Sequence, residues 1–270
     1  MKKTVIIILP IVIIMFVLYF GKNIVAKKSL SGGVRIMTGL ELSMKSVNVG
    51  ILNTLIGING LQLFNPPGFV DKLMVDMPEI YVDYNLGAFI QGRVYFEEVR
   101  LDLKEFSVIK NEKGELNIDS LRVVEEKKEE KAEDGKKKTR MPELQIDVLE
   151  LKIGKVVYKD YSKGTPPKVR EFNVNIDERF ENITNPRTLI SLIIVKALKN
   201  TVIARLTNFN LGALQEDVAE KLKETTRKVV EIADKAIETG KDLEKKVKDT
   251  ARETIEKATD TIKKILPFGK

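Results

Sequence analysis

The first hydrophobic pattern in the chain is an uncharged run at positions 5–21, which alternating and then helical patterns follow. The run is 17 residues long, with Lys2 and Lys3 before it and Lys22 after it. A helix needs about 20 apolar residues to cross a bilayer, and the usual range begins near 17. We therefore predict an N-terminal transmembrane helix whose anchor residues are Val5, Ile8, Ile11, Ile14, Phe16, Leu18 and Phe20.

Two other interpretations of this run stay open, a cleaved signal peptide and a buried core helix. A signal peptide usually ends at a small-x-small site, whereas residues 18–22 read Leu-Tyr-Phe-Gly-Lys. Because a short N-terminal head rarely translocates, we expect the N-terminus inside and the bulk of the chain outside. The expected location is the inner membrane of a bacterium with two membranes, as a single-pass protein with a periplasmic domain.

The pattern after the anchor and its exit (residues 1–29) is typical of strands. In the first β-rich part, residues 30–124, apolar side chains alternate at Ile80, Val82 and Tyr84 and again at Leu101 and Leu103. Such alternation places one apolar face against a core and one polar face in water. The phase slips after Leu103, which predicts a β-bulge near residues 104–105.

A run of charges at 125–140 follows, and it predicts a solvated linker or loop. The β pattern restarts in a second part, residues 141–206, with apolar positions at Leu144 and Ile146 and at Phe172, Val174 and Ile176. We predict an α+β fold in which both parts build a curved antiparallel sheet or groove with a packing helix.

That packing helix is predicted at 187–206, where Asn185 and Pro186 provide an N-cap and a first turn. Apolar residues recur there at helical spacing over more than a third of the circumference. Two interpretations stay open: the helix covers the sheet as part of the core, or it enters a membrane interface or fills a groove.

The tail, residues 207–270, shows one long amphipathic helical pattern over 216–265. Its narrow stripe of small and apolar residues recurs with a mean spacing of about 3.6, the period of a straight helix. Fifty helical residues would reach roughly 75 Å. The helix can lie along the sheet, contact a membrane, or pair with another chain, and the pattern does not choose among these.

Composition limits the chemistry. The chain has 0 Cys and 0 His, so thiol nucleophiles, imidazole bases and ordinary zinc sites are excluded. Phosphate-binding glycine loops are also missing from the sequence. We expect no catalytic residues, no metal and no cofactor. The net charge of +7 is dispersed over 46 basic and 39 acidic residues, which favours weak attraction to anionic lipids over nucleic-acid binding.

An ordered set of segments follows the anchor. Thr38-Gly39-Leu40-Glu41-Leu42 comes first, then the segment 47–52 (VNVGIL), then 58–69 (INGLQLFNPPGF). This set resembles the N-terminal region of AsmA-like proteins. Segments similar to 77–86, 86–93, 94–103 and 154–161 also occur in that family. The resemblance covers roughly residues 1–205, and it implies a membrane-anchored envelope protein.

Larger relatives of that family, TamB-like and chorein-type proteins, have long β-grooves with an apolar interior that carries lipid between membranes. This chain is shorter than those relatives. The resemblance implies that phospholipids are its partners and that Ile80, Val82, Tyr84, Leu101, Leu103, Leu144, Ile146, Phe172, Val174 and Ile176 line an apolar groove. The alternative is that the same residues are only the core beneath the 187–206 helix.

Two main functional hypotheses follow. The first is a lipid-binding or lipid-transferring protein of envelope homeostasis. The second is a structural tether, in which the 216–265 helix reaches a protein partner or a second membrane. A third hypothesis is a cytoplasmic domain with a stress-protective tail.

Overall fold

Seven strands form a single sheet in the part of the chain that the structure describes. The computed structural model describes residues 23, 24, 26–28, 30–32, 35, 40–121 and 144–239. The strands are β1 Leu42–Ser43, β2 Ser46–Val49, β3 Leu55–Phe64, β4 Leu73–Tyr84, β5 Val94–Lys110, β6 Leu144–Asp160 and β7 Lys168–Ile183. The main helices are α1 Leu86–Ile90, α2 Pro186–Lys199, α3 Ile203–Thr207 and α4 Leu211–Thr239.

The predicted α+β class is confirmed, but the sheet is mixed rather than antiparallel. The strand order is β1-β3-β4-β5-β6-β7, with β2 also paired to β3. The ladder between β5 and β6 is parallel and runs from Val94 opposite Leu144 to Lys110 opposite Asp160, whereas the other pairs are antiparallel. A parallel pair needs a crossover connection, and residues 111–143 supply it.

The two ends of the sheet differ in the connections that they carry. At one end, called here the Tyr84 end, β2 and β4 finish and β3, β5 and β6 begin. The β2–β3 loop and helix α1 lie at this end. At the opposite end, called here the Asn65 end, the β3–β4 loop, the turn after β5 and the β6–β7 loop meet.

The apolar face keeps its side along strands of up to 17 residues because four strands change phase together. The buried positions step by three residues from Ile58 to Leu61 in β3 and from Leu103 to Phe106 in β5. The same step occurs between 77 and 80 in β4 and between 153 and 156 in β6. We call this row of irregularities the transverse step.

The residues at the transverse step suit it. Gly60 has a φ of 60° and Pro78 has no amide hydrogen, so neither favours a regular ladder. Edge strand β7 absorbs the step differently, through a register shift opposite Ile153 and Lys155 that places Asn175 at a φ of 45°. The burial change predicted after Leu103 is therefore real. Strand β5 shows no register shift there, since β6 changes phase at the same level, with Ile153 opposite Leu103 and Val156 opposite Phe106.

Helix α2 is part of the core, the first of the two interpretations of the 187–206 pattern. Asn185 caps it through its side-chain oxygen, which accepts a hydrogen bond of 2.8 Å from the Arg187 amide. Leu192, Val195 and Leu198 are fully buried, and the helix packs on β6, β7 and α4. The predicted helix is shorter than expected, because it ends at Lys199 and α3 follows after a break.

Helix α4 begins the predicted tail helix, and its first half belongs to the folded domain. Val218, Ala219 and Leu222 are buried where the helix packs on α2 and β7. The Thr225 hydroxyl lies 3.2 Å from the hydroxyl of Thr184, directly after β7. The helix then continues for 14 more residues, about 21 Å, to Thr239. Of the three interpretations, packing against the sheet holds for this first half.

Several predictions fall outside the described residues: the anchor residues between Val5 and Phe20, the 125–140 linker, and the tail beyond Thr239. Among the residues that the structure does describe, no helix has the length and apolarity to cross a membrane.

Candidate lipid-binding face

Nine of the ten predicted groove residues share one continuous apolar cluster. Four of them are buried in it: Ile80, Val82, Leu103 and Ile146. Five others are only partly buried against it: Leu101, Leu144, Phe172, Val174 and Ile176. The alternation in the sequence therefore located one physical face of the sheet across β4 to β7.

Tyr84 has a different position from the other nine. It is the last residue of β4, next to a register shift in the ladder with β5. Its hydroxyl donates a hydrogen bond of 2.9 Å to the Gly50 carbonyl, and its ring lies edge-on to Phe89 with the centroids 6.2 Å apart. Tyr84 thus joins the β2–β3 loop to α1 at the Tyr84 end.

Helices cover this face on the side of β6 and β7. Among the described elements, α2 packs on both strands and α4 packs on β7. Phe180 and Ile183, near the end of β7, are buried under them. This coverage makes the face a core in that region, as the alternative interpretation of these residues requires.

The row formed by Phe172, Val174 and Ile176 is a partly exposed part of the face at the edge of the sheet. These side chains lie on edge strand β7 and keep partial exposure. They adjoin the interior directly, because Phe172 is paired with the buried Val156 and Ile176 with the buried Ile153. An edge row of this kind offers apolar surface that water still reaches.

A charged pair inside this region was not predicted. The Lys196 side chain on α2 is 2% exposed, and its ammonium donates a hydrogen bond of 2.7 Å to a Glu178 carboxylate oxygen. The same ammonium lies 5.1 Å from the centre of the Phe180 ring. Glu178 faces α2 because it shares its side of β7 with Ile176 and Phe180. Within the sequence, only the even spacing of residues 176, 178 and 180 hints at this inward position.

The opposite face of the sheet is polar and internally paired. Arg100 lies 2.8 Å from Glu98 and 3.3 Å from Glu150, with its guanidinium 4.6 Å from the centre of the Tyr81 ring. The hydrogen bonds that Arg100 donates to Glu98, together with the nearby negative charges of Glu98 and Glu150, raise the pKa of Arg100. A recess of about 290 Å³ is present there, lined mostly by charged and polar side chains; Arg100 pairs with Glu150 inside it, and Lys152 pairs with Asp177 at 3.3 Å. This face fits a solvated surface better than a ligand site.

Two side-chain amides at the Asn65 end, those of Asn65 and Asn117, organise the N-P-P-G-F motif, another feature that the alternation did not reveal. Asn65 donates hydrogen bonds to the carbonyls of Asp71 and Leu73 at 2.9 and 3.2 Å. Its own oxygen accepts a bond of 2.8 Å from Asn117, which is fully buried. The motif is thus a hydrogen-bonded turn that begins β4.

Comparisons with known proteins return no match: no family model, no curated protein and no solved structure is similar to this chain. The resemblance to AsmA-like proteins therefore rests on the segments quoted above and stays a prediction.

Proposed function

We propose that this protein is a non-enzymatic, AsmA-like envelope protein that binds phospholipid through its acyl chains and helps to transfer it. The observation that supports the proposal best is the partly exposed apolar row of Phe172, Val174 and Ile176 on edge strand β7. The row is continuous with the apolar cluster and lies beside the helices that cover its other part.

Apolar side chains that water reaches at the edge of a sheet favour contact with acyl chains. Transfer of acyl carbon from water to such a surface is favourable by about 0.8 kcal/mol for each buried CH₂. A single chain lying along these three residues would contact about 10 Å of strand, because Phe172 and Ile176 lie opposite Val156 and Ile153 of β6. Binding of this kind needs no catalytic group, and it keeps the headgroup free to stay in water.

The proposal places the chain in the inner membrane, with the 5–21 run as its anchor and the sheet in the periplasm. The uncharged 17-residue run with lysines on both sides supports this placement. Phospholipids of that membrane are then the nearest available ligands.

The test is photo-crosslinking of the full-length chain in membranes that contain a phospholipid with a diazirine on its acyl chain. Trypsin cleaves after Arg170 and Arg179, so the row lies on one peptide, residues 171–179. We expect lipid adducts on this peptide, and Val174→Asp should remove most of them. The matched control is Asn173→Asp, which places the same charge at the adjacent, exposed position of the strand. Adducts that are lacking on 171–179, or that persist in Val174→Asp, would contradict lipid binding at this row.

The structural tether is the second candidate, and the length of α4 beyond Thr225 supports it. A helix that continues about 21 Å past its last described contact with the sheet can reach another surface. If the chain is a tether, a variant that ends at Lys228 should keep its lipid adducts yet fail to replace the full-length chain in cells of its source. Full replacement by that variant would count against the tether.

A further inference from the structure

Large apolar side chains are exposed to solvent at the Tyr84 end of the sheet. In the described part of the chain, the three most exposed large hydrophobic residues are Leu52 at 102%, Ile90 at 77% and Phe89 at 63%. Ile51, next to Leu52, is 45% exposed. Isolated exposed apolar residues are ordinary, but two adjacent pairs on neighbouring connections form a patch.

Tyr84 brings the two pairs together. Ile51 and Leu52 lie in the β2–β3 loop, whose Gly50 carbonyl accepts the Tyr84 hydroxyl. Phe89 and Ile90 end helix α1, and the Phe89 ring contacts the Tyr84 ring. The backbone amide of Tyr84 also donates a bond of 2.9 Å to the Thr54 carbonyl. We call Ile51, Leu52, Phe89 and Ile90 the apical patch.

The connections that carry the apical patch contain no charge. Residues 50–54 read Gly-Ile-Leu-Asn-Thr, and residues 85–92 read Asn-Leu-Gly-Ala-Phe-Ile-Gln-Gly. At the Asn65 end, by contrast, each hairpin or turn carries charge: Asp71 and Lys72, then Glu112 and Lys113, then Lys163. In a chain with 31% charged residues, the two connections of the apical patch therefore differ from the three turns at the Asn65 end.

The chain enters the domain at the same end. The Asn23 side-chain oxygen accepts a hydrogen bond of 2.9 Å from the Val49 amide, where β2 reaches the β2–β3 loop. Only Lys22 stands between Asn23 and the uncharged 5–21 run. The described contact of Asn23 therefore lies at the same end of the sheet as the apical patch.

A basic side chain stands at the rim of the patch. Arg93 is exposed, and its guanidinium donates a hydrogen bond of 2.8 Å to the Gln91 side chain. An arginine beside exposed aromatic and aliphatic residues suits the level of lipid phosphates, with the apolar residues deeper.

We propose that the apical patch of Ile51, Leu52, Phe89 and Ile90 inserts into the bilayer surface, so that the Tyr84 end of the sheet sits on the membrane that holds the anchor. The inference rests on the proposed anchoring by the 5–21 run and adds a second contact to it. Two contacts fix the sheet upright on the bilayer. The Asn65 end then points away from it.

The chain has 0 Trp, so a single introduced tryptophan reports on one position. The experiment uses full-length Leu52→Trp, Phe89→Trp and Val70→Trp variants in vesicles of phosphatidylcholine and phosphatidylglycerol. A fraction of the phosphatidylcholine carries bromine on its acyl chains. Val70 is the matched control, because it is as exposed as Phe89, at 62%, but lies at the Asn65 end.

We expect bromolipid to quench the emission of Leu52→Trp and Phe89→Trp at least about twofold, and to leave Val70→Trp unchanged. Flotation of the same vesicles reports on anchoring separately. A chain that floats while both apical probes stay unquenched overturns the inference and leaves the anchor intact. Blue-shifted emission without quenching would mean that protein, not lipid, covers the patch. Equal quenching of Val70→Trp would overturn the upright orientation, and a chain that does not float would overturn both proposals.

Discussion

The Lys196 ammonium on α2 donates a 2.7 Å hydrogen bond to the carboxylate of Glu178 on β7, within the apolar contact between helix and sheet. Replacing one partner of such a buried pair leaves the other charge without compensation. We expect Glu178→Leu to lower the free energy of unfolding by about 3 kcal/mol.

The double variant Glu178→Leu with Lys196→Met tests the reason. Because it removes both charges and keeps apolar volume, it should recover most of the loss. Denaturant unfolding of the single and double variants measures the difference. A double variant less stable than Glu178→Leu would show that the charges are not coupled in this way.

A pair of glycines tests the transverse step. A Cβ on Gly154 would lie 3.0 Å from the Lys104 carbonyl oxygen, on the neighbouring strand, whereas a Cβ on Gly57 in β3 meets nothing within 4 Å. Gly154→Ala should therefore destabilise by about 1–3 kcal/mol, and Gly57→Ala should be neutral or stabilise by up to about 1 kcal/mol. Thermal unfolding of the two variants checks the contrast, and equal effects would contradict a close approach at Gly154.

Alkaline pH should weaken the fold through three tyrosines. A hydrogen bond to Asp147 raises the pKa of Tyr95 to about 12, and burial raises the pKa of Tyr158 and of Tyr161 to about 12. Since the folded values exceed the unfolded value of about 10, this stabilisation is complete below pH 10 and is lost as the pH rises toward 12. In an alkaline titration, tyrosinate absorbance should appear at a higher pH in the native chain than in the chain unfolded by denaturant. Coincident titrations would contradict it.

Truncation of the tail should have two outcomes according to position. A chain that ends at Lys228 keeps Val218, Ala219 and Leu222, which are buried against α2 and β7. Its melting temperature should stay close to that of the full chain. A chain that ends at Gln215 loses all three, and we expect it to be less stable by about 4 kcal/mol. Circular dichroism melts of both chains decide this, and equal stability would mean that α4 is not part of the core.

The apolar face was predictable because β4, β5 and β7 alternate with a period of two, so Ile80, Leu103 and Ile176 follow from pattern alone. The parallel pairing of β5 with β6 was not predictable, since the composition of a charged connection does not tell at which end the chain rejoins the sheet. The burial of Lys196 could not be predicted for a related reason. It occupies an inward helical position, but lysines usually face water, and its partner Glu178 lies on another element.

The site was harder to predict from the sequence than the fold. Alternation marks a face of a sheet without showing what covers it, and the helices over β6 and β7 convert part of that face into core. Tyr84 continues the alternation of Ile80 and Val82, yet it contacts Phe89 and Gly50 because β4 ends there. The exposed Phe89 and Ile90 gave no periodic signal, as α1 has only 5 residues.

The parallel β5–β6 ladder makes the chain divisible. It pairs Val94 through Lys110 with Leu144 through Asp160. These backbone hydrogen bonds hold the two halves of the sequence together independently of the covalent connection between them. A protease that cut among the lysines and arginines of 125–140 would therefore release neither half. The two fragments would stay associated along some 17 residues of ladder, and co-expressed as separate polypeptides they should reassemble the same sheet.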